Sequence, residues 1–273
     1  MQTRSNNNTI IAIARGIKHQ DENIRIGAIR GAEGLNSVER FDLLSTLLSD
    51  EVLGVRTEAA RVLVPLWQQL SEEQRKLLRP ALDEYMMIQE FNADRGFAHT
   101  NKANIYRAMG EYDKAIQSYN TSIRIESYFV NAYINLADLY RSTDNSKASI
   151  DVLRQGIGAI PNSGILYHSL GLAYVRGKNM PKATSHLQTA TQLDPENAQF
   201  HFVHGLSIES ADPSNATRAL RTAYQLSNNP QHLYALCEMQ VRHRAFQAKQ
   251  CLTKLATVAP KNVIEQLKAQ LKN

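Results

Sequence analysis

Long apolar runs are absent from this 273-residue chain. No stretch approaches the roughly 18 residues that a membrane-spanning helix needs, so none is expected. Glycine and proline are scarce, at 13 and 8 residues, while 43% of the chain is hydrophobic and 21% charged. That balance excludes a collagen-like or disordered polymer and favours helices punctuated by short turns. Cysteine occurs twice, too sparsely for a disulfide scaffold and without the spacing of a zinc site. No Cys-x-x-Cys-His is present, so no haem can be attached covalently. The phosphate-binding loop, the dinucleotide-binding G-x-G-x-x-G and the nucleophile elbow G-x-S-x-G are missing as well. Eight histidines are scattered, and although His201 and His204 stand three apart, no carboxylate completes a metal-binding cluster. These absences leave no catalytic constellation, no metal site and no cofactor, and they point to a non-enzymatic protein.

The charge is unevenly placed. The net value is +5, yet residues 229–273 alone hold seven basic against two acidic residues and so supply the whole surplus. Such a bias ordinarily marks a solvated face, with an acidic partner or a membrane surface as the alternative. No nucleic-acid partner is expected. Near the start, Ile10-Ile11-Ala12-Ile13-Ala14 is too short for a signal-peptide core and no cleavage site follows it. The expected location is cytoplasmic if Met1 is the native start, and periplasmic if the sequence is a piece of a longer exported protein.

What the chain does have is internal repetition, the first signal to seek in a helical sequence. Segments 96–129, 130–163 and 164–197 are each 34 residues long and align with one another; 198–229 and 230–260 follow with looser spacing. The third segment shows the pattern best: Tyr167, Leu170, Gly171 and Tyr174 at helical spacing, then Ala183, Leu187 and Ala190, closed by Pro195. Tyr133, Leu136, Ala137 and Tyr140 repeat the first half one unit earlier, and His99, Ala103 and Tyr106 one unit before that. Small residues such as Gly171 and Ala183 allow two antiparallel helices to approach, larger ones fill the space to the next helix, and proline ends the pair. One such hairpin cannot bury its apolar face alone, so the units must stack. These strings resemble tetratricopeptide (TPR) repeats over residues 96–260. Val263, Ile264, Leu267 and Leu271 then make one apolar stripe, predicting a capping helix over 261–273.

Residues 1–95 repeat in another way. Asp21-Glu22-Asn23-Ile24-Arg25 is echoed around Arg56, 31 residues on, and an Ala-rich amphipathic run follows each arginine. A helix is expected from Ser37 to Leu48, opened by Ser37, and Ser71-Glu72-Glu73-Gln74 is a capping box whose helix kinks or restarts at Pro80. This part resembles HEAT repeats, in which an Asp and an Arg bridge neighbouring units. The first helix, Thr9 to Lys18, either packs on Ile24 and Ile26 as a cap or begins a piece of something longer. The predicted fold is therefore all-α: a right-handed α-α superhelix in which HEAT-like helices run into a TPR solenoid without a linker. That order of parts, through Glu90-Phe91-Asn92-Ala93-Asp94-Arg95 and Asn135-Leu136-Ala137-Asp138-Leu139-Tyr140-Arg141, is similar to the C-terminal region of bacterial TPR-containing multihaem cytochrome c proteins. The resemblance implies a periplasmic setting and, as an alternative function, an accessory docking domain for an electron-transfer protein.

In TPR arrays the first helix of each pair lines a concave groove. The residues placed there by this resemblance are Thr100, Asn101, Asn104, Arg107, Asn135, Asp138, Arg141, His168 and Arg176. Asparagine both donates to and accepts from an extended peptide backbone, and arginine clamps a carboxylate. The expectation is a scaffold or adaptor binding a peptide or partner domain. Asn104, Asn135 and Arg176 match three of the five clamp positions of TPR domains that grip acidic chaperone tails, but Thr100 and Leu172 stand where the lysines would be. Cys237 and Cys251 read as two small buried side chains on the fifth unit, a disulfide across that hairpin being the alternative in an oxidising compartment.

Overall fold

The computed structural model describes residues 7–272, so the first residues of the leader reading and Asn273 of the expected cap lie outside what is described. The described residues form sixteen α-helices and no strand. They fall into two compact units, Met1–Leu139 and Tyr140–Asn273.

The first unit opens with α1 (Asn7–Gly16), α2 (Glu22–Gly31), α3 (Ser37–Leu44), α4 (Leu53–Leu63) and the long α5 (Glu72–Phe91). Helix starts follow the capping side chains. The Asp21 carboxylate accepts from Asn23 N at 2.8 Å, and Asn36, not Ser37, caps α3 by accepting from Glu39 N at 3.0 Å. Ser37 is already helical, and α3 ends at Leu44 before a 3-10 segment, Ser45–Ser49, finishes the run. At Ser71 both halves of the capping box are present. Pro80 neither breaks nor restarts α5, which runs through it.

Helix α1 and the turn after it cover the end of this stack with Ile13 and Ile17, both buried, while Ile11 and Ile24 stay about half exposed. The two echoed arginines do equivalent work. Arg25 reaches forward to Asp50 at 3.0 Å and donates back to the carbonyls of His19 and Gln20. Arg56 reaches forward to Glu84 and donates back to the carbonyls of Asp50 and Glu51. Each arginine thus closes its own loop and ties it to the next helix pair; Asp21, the acid expected to bridge, is spent on capping. A single apolar cluster runs from Ile13 through Leu44, Leu63 and Leu82 to Ile105. Because Ile105 belongs to α6 (Gly96–Met109), helices α1–α5 and α6 share one core, with no linker between them. Helix α7 (Tyr112–Ile125) and the start of α8 (Val130–Ser142) complete the unit.

The second unit contains α9 (Ser146–Ala159), α10 (Gly164–Arg176), α11 (Met180–Leu193), α12 (Ala198–Ile208), α13 (Pro213–Ser227), α14 (Pro230–Arg242), α15 (Ala248–Leu255) and α16 (Lys261–Lys272). Its antiparallel pairs depend on small residues where the helices cross. A β-carbon on Gly171 of α10 would stand 2.6 Å from Leu187 Cγ and 3.3 Å from the Ala183 carbonyl of α11, so only glycine allows this spacing. Asp144 and Lys178, 34 residues apart, both adopt a left-handed backbone (φ 58° and 56°) at the turn before a second helix. Each stands where the first repeat has Gly110. The last pair departs from the others. Its second helix, α15, has only 8 residues, and Cys251 on it is bonded to Cys237 on α14, with Cα atoms 5.3 Å apart. Reading the cysteines as two separate buried thiols is thereby corrected. Helix α16 closes the stack by burying Ile264 and Leu267 beside Leu233, Val241 and Leu252.

Candidate functional site

Positions three apart on a helix share a face. Asn101, Asn104 and Arg107 fall this way on α6, and Asn135 and Asp138 on α8. Between these helices rises Tyr119 of α7, whose ring is fully buried. Its hydroxyl donates to Asn104 Oδ1 at 2.6 Å, and Asn135 Nδ2 donates to the same oxygen at 3.1 Å. Two donors on one carbonyl oxygen fix the amide's orientation and leave Asn104 Nδ2 as a donor. Burial pushes the Tyr119 phenol up to about 12, and the nearby Arg107 guanidinium offsets only part of that. The phenol therefore stays protonated and keeps donating at every physiological pH. Arg107 sits in the last turn of α6, where a cation is favourable against the helix dipole.

The remaining expected residues are distributed differently. Asn101 donates to Gln89 Oε1 of α5 at 2.9 Å, so it ties α6 to the preceding helix. With Asn104 it also lines a hollow of about 230 Å³ beside Arg61, Pro65 and Tyr85. Thr100 does not face a ligand: it is 3% exposed and donates to Ser122 Oγ, which in turn donates to the Gly96 carbonyl. His168 is likewise buried, stacked on Phe200 of the next pair with centroids 4.6 Å apart. With its Nδ1 unpartnered and no carboxylate beside it, burial lowers its pKa to about 4. Both residues serve packing, which corrects their assignment to a binding face. Arg141 and Arg176 are exposed in the last turns of α8 and α10. The first unit thus brings together Asn104, Arg107, Asn135 and Asp138. Sequence reasoning missed the orienting role of Tyr119, for which its place at a core position of the second helix was the available signal. Among the described residues no group of His, Cys, Asp and Glu could hold a metal, and no helix is long and apolar enough to cross a membrane.

The TPR repeat pattern matches residues 103–144, and a second tetratricopeptide repeat pattern matches residues 130–163. The chain carries tetratricopeptide repeats. TPR proteins generally mediate protein–protein interaction, and solved TPR proteins share this fold. The C-terminal part of a TPR repeat-containing protein from Cytophaga hutchinsonii superposes with a TM-score of 0.58 at 14% identity, over 87% of this chain and 98% of that one. YrrB, described as a TPR protein with an unusual peptide-binding site, gives 0.52 at 18% identity, over 67% and 96%. Among curated relatives, the human protein O-mannosyl-transferase TMTC3 is 26% identical over 190 residues, or 63% of this chain and 20% of its own length. Anaphase-promoting complex subunit 3 of Schizosaccharomyces pombe is 26% identical over 106 residues, 39% of this chain and 16% of its own. This TPR chain therefore spans about a fifth or less of the curated relatives it matches. None of these proteins supports the likeness to multihaem cytochromes.

Proposed function

We propose that this TPR chain is a non-enzymatic adaptor that holds an extended peptide of a partner protein against α6 and α8. The observation that carries the reading is the shared oxygen of Asn104, held by Tyr119 and Asn135, which presents oriented amide groups beside the Arg107 guanidinium. An extended peptide offers unpaired N–H and C=O groups at regular intervals, and side-chain amides complement them without demanding a particular sequence. Arg107 adds preference for a carboxylate. Pre-orientation matters because amides already fixed lose little further freedom on binding. The fold likeness to YrrB, a TPR protein with an unusual peptide-binding site, supports the same reading.

The test leaves Asn104 in place, because truncating it would strand the buried Tyr119 hydroxyl and confuse binding with stability. Asn135→Ala and Arg107→Gln are combined and compared with the natural chain on a peptide array covering the native proteome. The double variant is expected to lose about tenfold in affinity for array peptides that the natural chain captures, consistent with two lost polar contacts of roughly 1 kcal/mol each, partly replaced by water. Unchanged capture at an unchanged melting midpoint sinks the reading.

A further inference from the structure

A groove of about 710 Å³ opens between α13, α14 and α15, far along the chain from Asn104. It follows from the short α15: α11 and α13 have 14 and 15 residues, so the last pair leaves its wall incomplete. The Cys237–Cys251 bond holds that short wall against α14. The floor is formed by Leu233, Leu236 and Gln240, all buried. Gln240 is only 2% exposed, yet its side-chain Oε1 has no hydrogen-bond partner. A buried amide end without a partner is rare in folded proteins and needs an explanation. A rotation of the side chain that turns this oxygen into the groove would let a ligand peptide group supply one.

The walls are polar and positively charged. Gln225 stands on α13 and Gln250 on α15, each exposed and able to donate and accept. Arg221 and Lys254 are the two charged residues lining the groove, and neither has a carboxylate partner among the described residues. The Lys254 ammonium lies over the Tyr224 ring, 4.5 Å from its centre, which anchors that charge at the groove's edge. The groove lies within the segment that carries the chain's whole positive surplus, or directly beside it.

We propose that this groove docks a short acidic peptide segment of a partner protein. An apolar side chain of the segment sits on Leu233 and Leu236, a backbone amide pairs with the Gln240 side chain, and a carboxylate meets Arg221 and Lys254. A nucleic acid is a poorer fit, because affinity for its backbone grows with the number of cations that neutralise phosphates and the groove offers two. The groove shares no residue with the α6 and α8 surface, so either reading stands if the other fails.

The test uses the full chain with its disulfide intact. It is titrated against fluorescein-labelled short peptides in which a leucine or phenylalanine is flanked by Asp and Glu, and against the same peptides with Asn and Gln instead. Fluorescence polarisation is expected to show saturable binding of the acidic set, at least about tenfold tighter than the neutral set, weakening as salt rises. Arg221→Glu with Lys254→Glu abolishes that difference. Gln240→Leu weakens binding several-fold without lowering the melting midpoint, since it removes an unpaired buried amide. Asn135→Ala leaves the acidic set bound. Equal affinity for both peptide sets, retention of the acidic set by the charge-reversed variant, or equal competition by succinate or a single-stranded oligonucleotide overturns the proposal.

Discussion

Replacing Gly171 by alanine should destabilise the second unit even though alanine is the better helix former. The new β-carbon would meet Leu187 Cγ at 2.6 Å and Cδ2 at 2.8 Å, distances at which something must move. Leu187 is fully buried, and the nearest atom is its branch point rather than a flexible tip, so relief requires α10 and α11 to separate. Overpacking of this kind costs about 1–3 kcal/mol, whereas exchanging glycine for alanine within a helix returns about 0.5–1 kcal/mol. The net expectation is a loss of about 1–2 kcal/mol. Gly158, on α9 of the same unit, provides the control, because a β-carbon there meets nothing within 4 Å. Gly158→Ala should gain about 0.5 kcal/mol, the lower end of the range because the site is near a helix end. Urea unfolding followed by circular dichroism reads both as midpoint shifts at constant slope. Two shifts of the same stabilising sign would refute the close-approach argument on which the hairpin rests.

Three further outcomes follow from the same structure. Asp50→Ala should cost about 3–5 kcal/mol in chemical denaturation, because it leaves the Arg25 guanidinium, 8% exposed, without its charge partner; a loss below 1 kcal/mol would mean that the carbonyls of His19 and Gln20 suffice. Reducing the Cys237–Cys251 bond, whose residues are 14 apart, should remove about 3 kcal/mol by the chain-entropy relation and be seen as faster amide exchange in α15 and α16 than in α10 and α11; uniform exchange would contradict it. His168 is neutral in the folded chain down to about pH 4, while an unfolded histidine protonates near 6.5. Its depressed pKa means that the unfolded state binds the proton first, so stability is complete above pH 6.5 and declines as pH falls towards 4, by about 3 kcal/mol at most. His168→Phe, which keeps a ring against Phe200, should flatten that slope; an unchanged slope would assign it to other groups, such as His186 and His204, whose pKa values burial also lowers.

The periodic part of the fold was readable because packing imposes it. Leu170, Gly171, Ala183 and Leu187 occupy positions where only certain sizes fit, and the 34-residue spacing repeats those demands. The paired arginines of the first unit were readable for the same reason, although not the identity of the acid each would meet. Both acids stand just ahead of a helix and accept from the backbone N–H two residues on, Asp21 from Asn23 and Asp50 from Val52, but only Asp50 also meets an arginine of the preceding helix pair, Arg25. The candidate site was legible only in part. Asn104 and Asn135 appear in the sequence as two unconnected amides, and the oxygen they share with Tyr119 depends on three helices meeting. Thr100 and His168 occupy the same kind of repeat position as groove residues elsewhere, but Ser122 and Phe200 offer them buried partners, and such partners follow from packing rather than from spacing. The disulfide lay beyond the sequence for a related reason: it required a fifth hairpin with a short second helix, at the point where the repeat pattern had already drifted.

The central claim, that a partner lies along α6 and α8, is tested most directly by site-specific photocrosslinking in the native cell. A benzophenone side chain is placed at the exposed position 131 on α8, one turn before Asn135 and on the same face, and, in a separate chain, at the exposed position 120 on the second helix α7. A discrete cross-linked band is expected from position 131 that disappears with Arg107→Gln, and none from position 120. Cross-linking from position 120 alone, or equally from both, would contradict it.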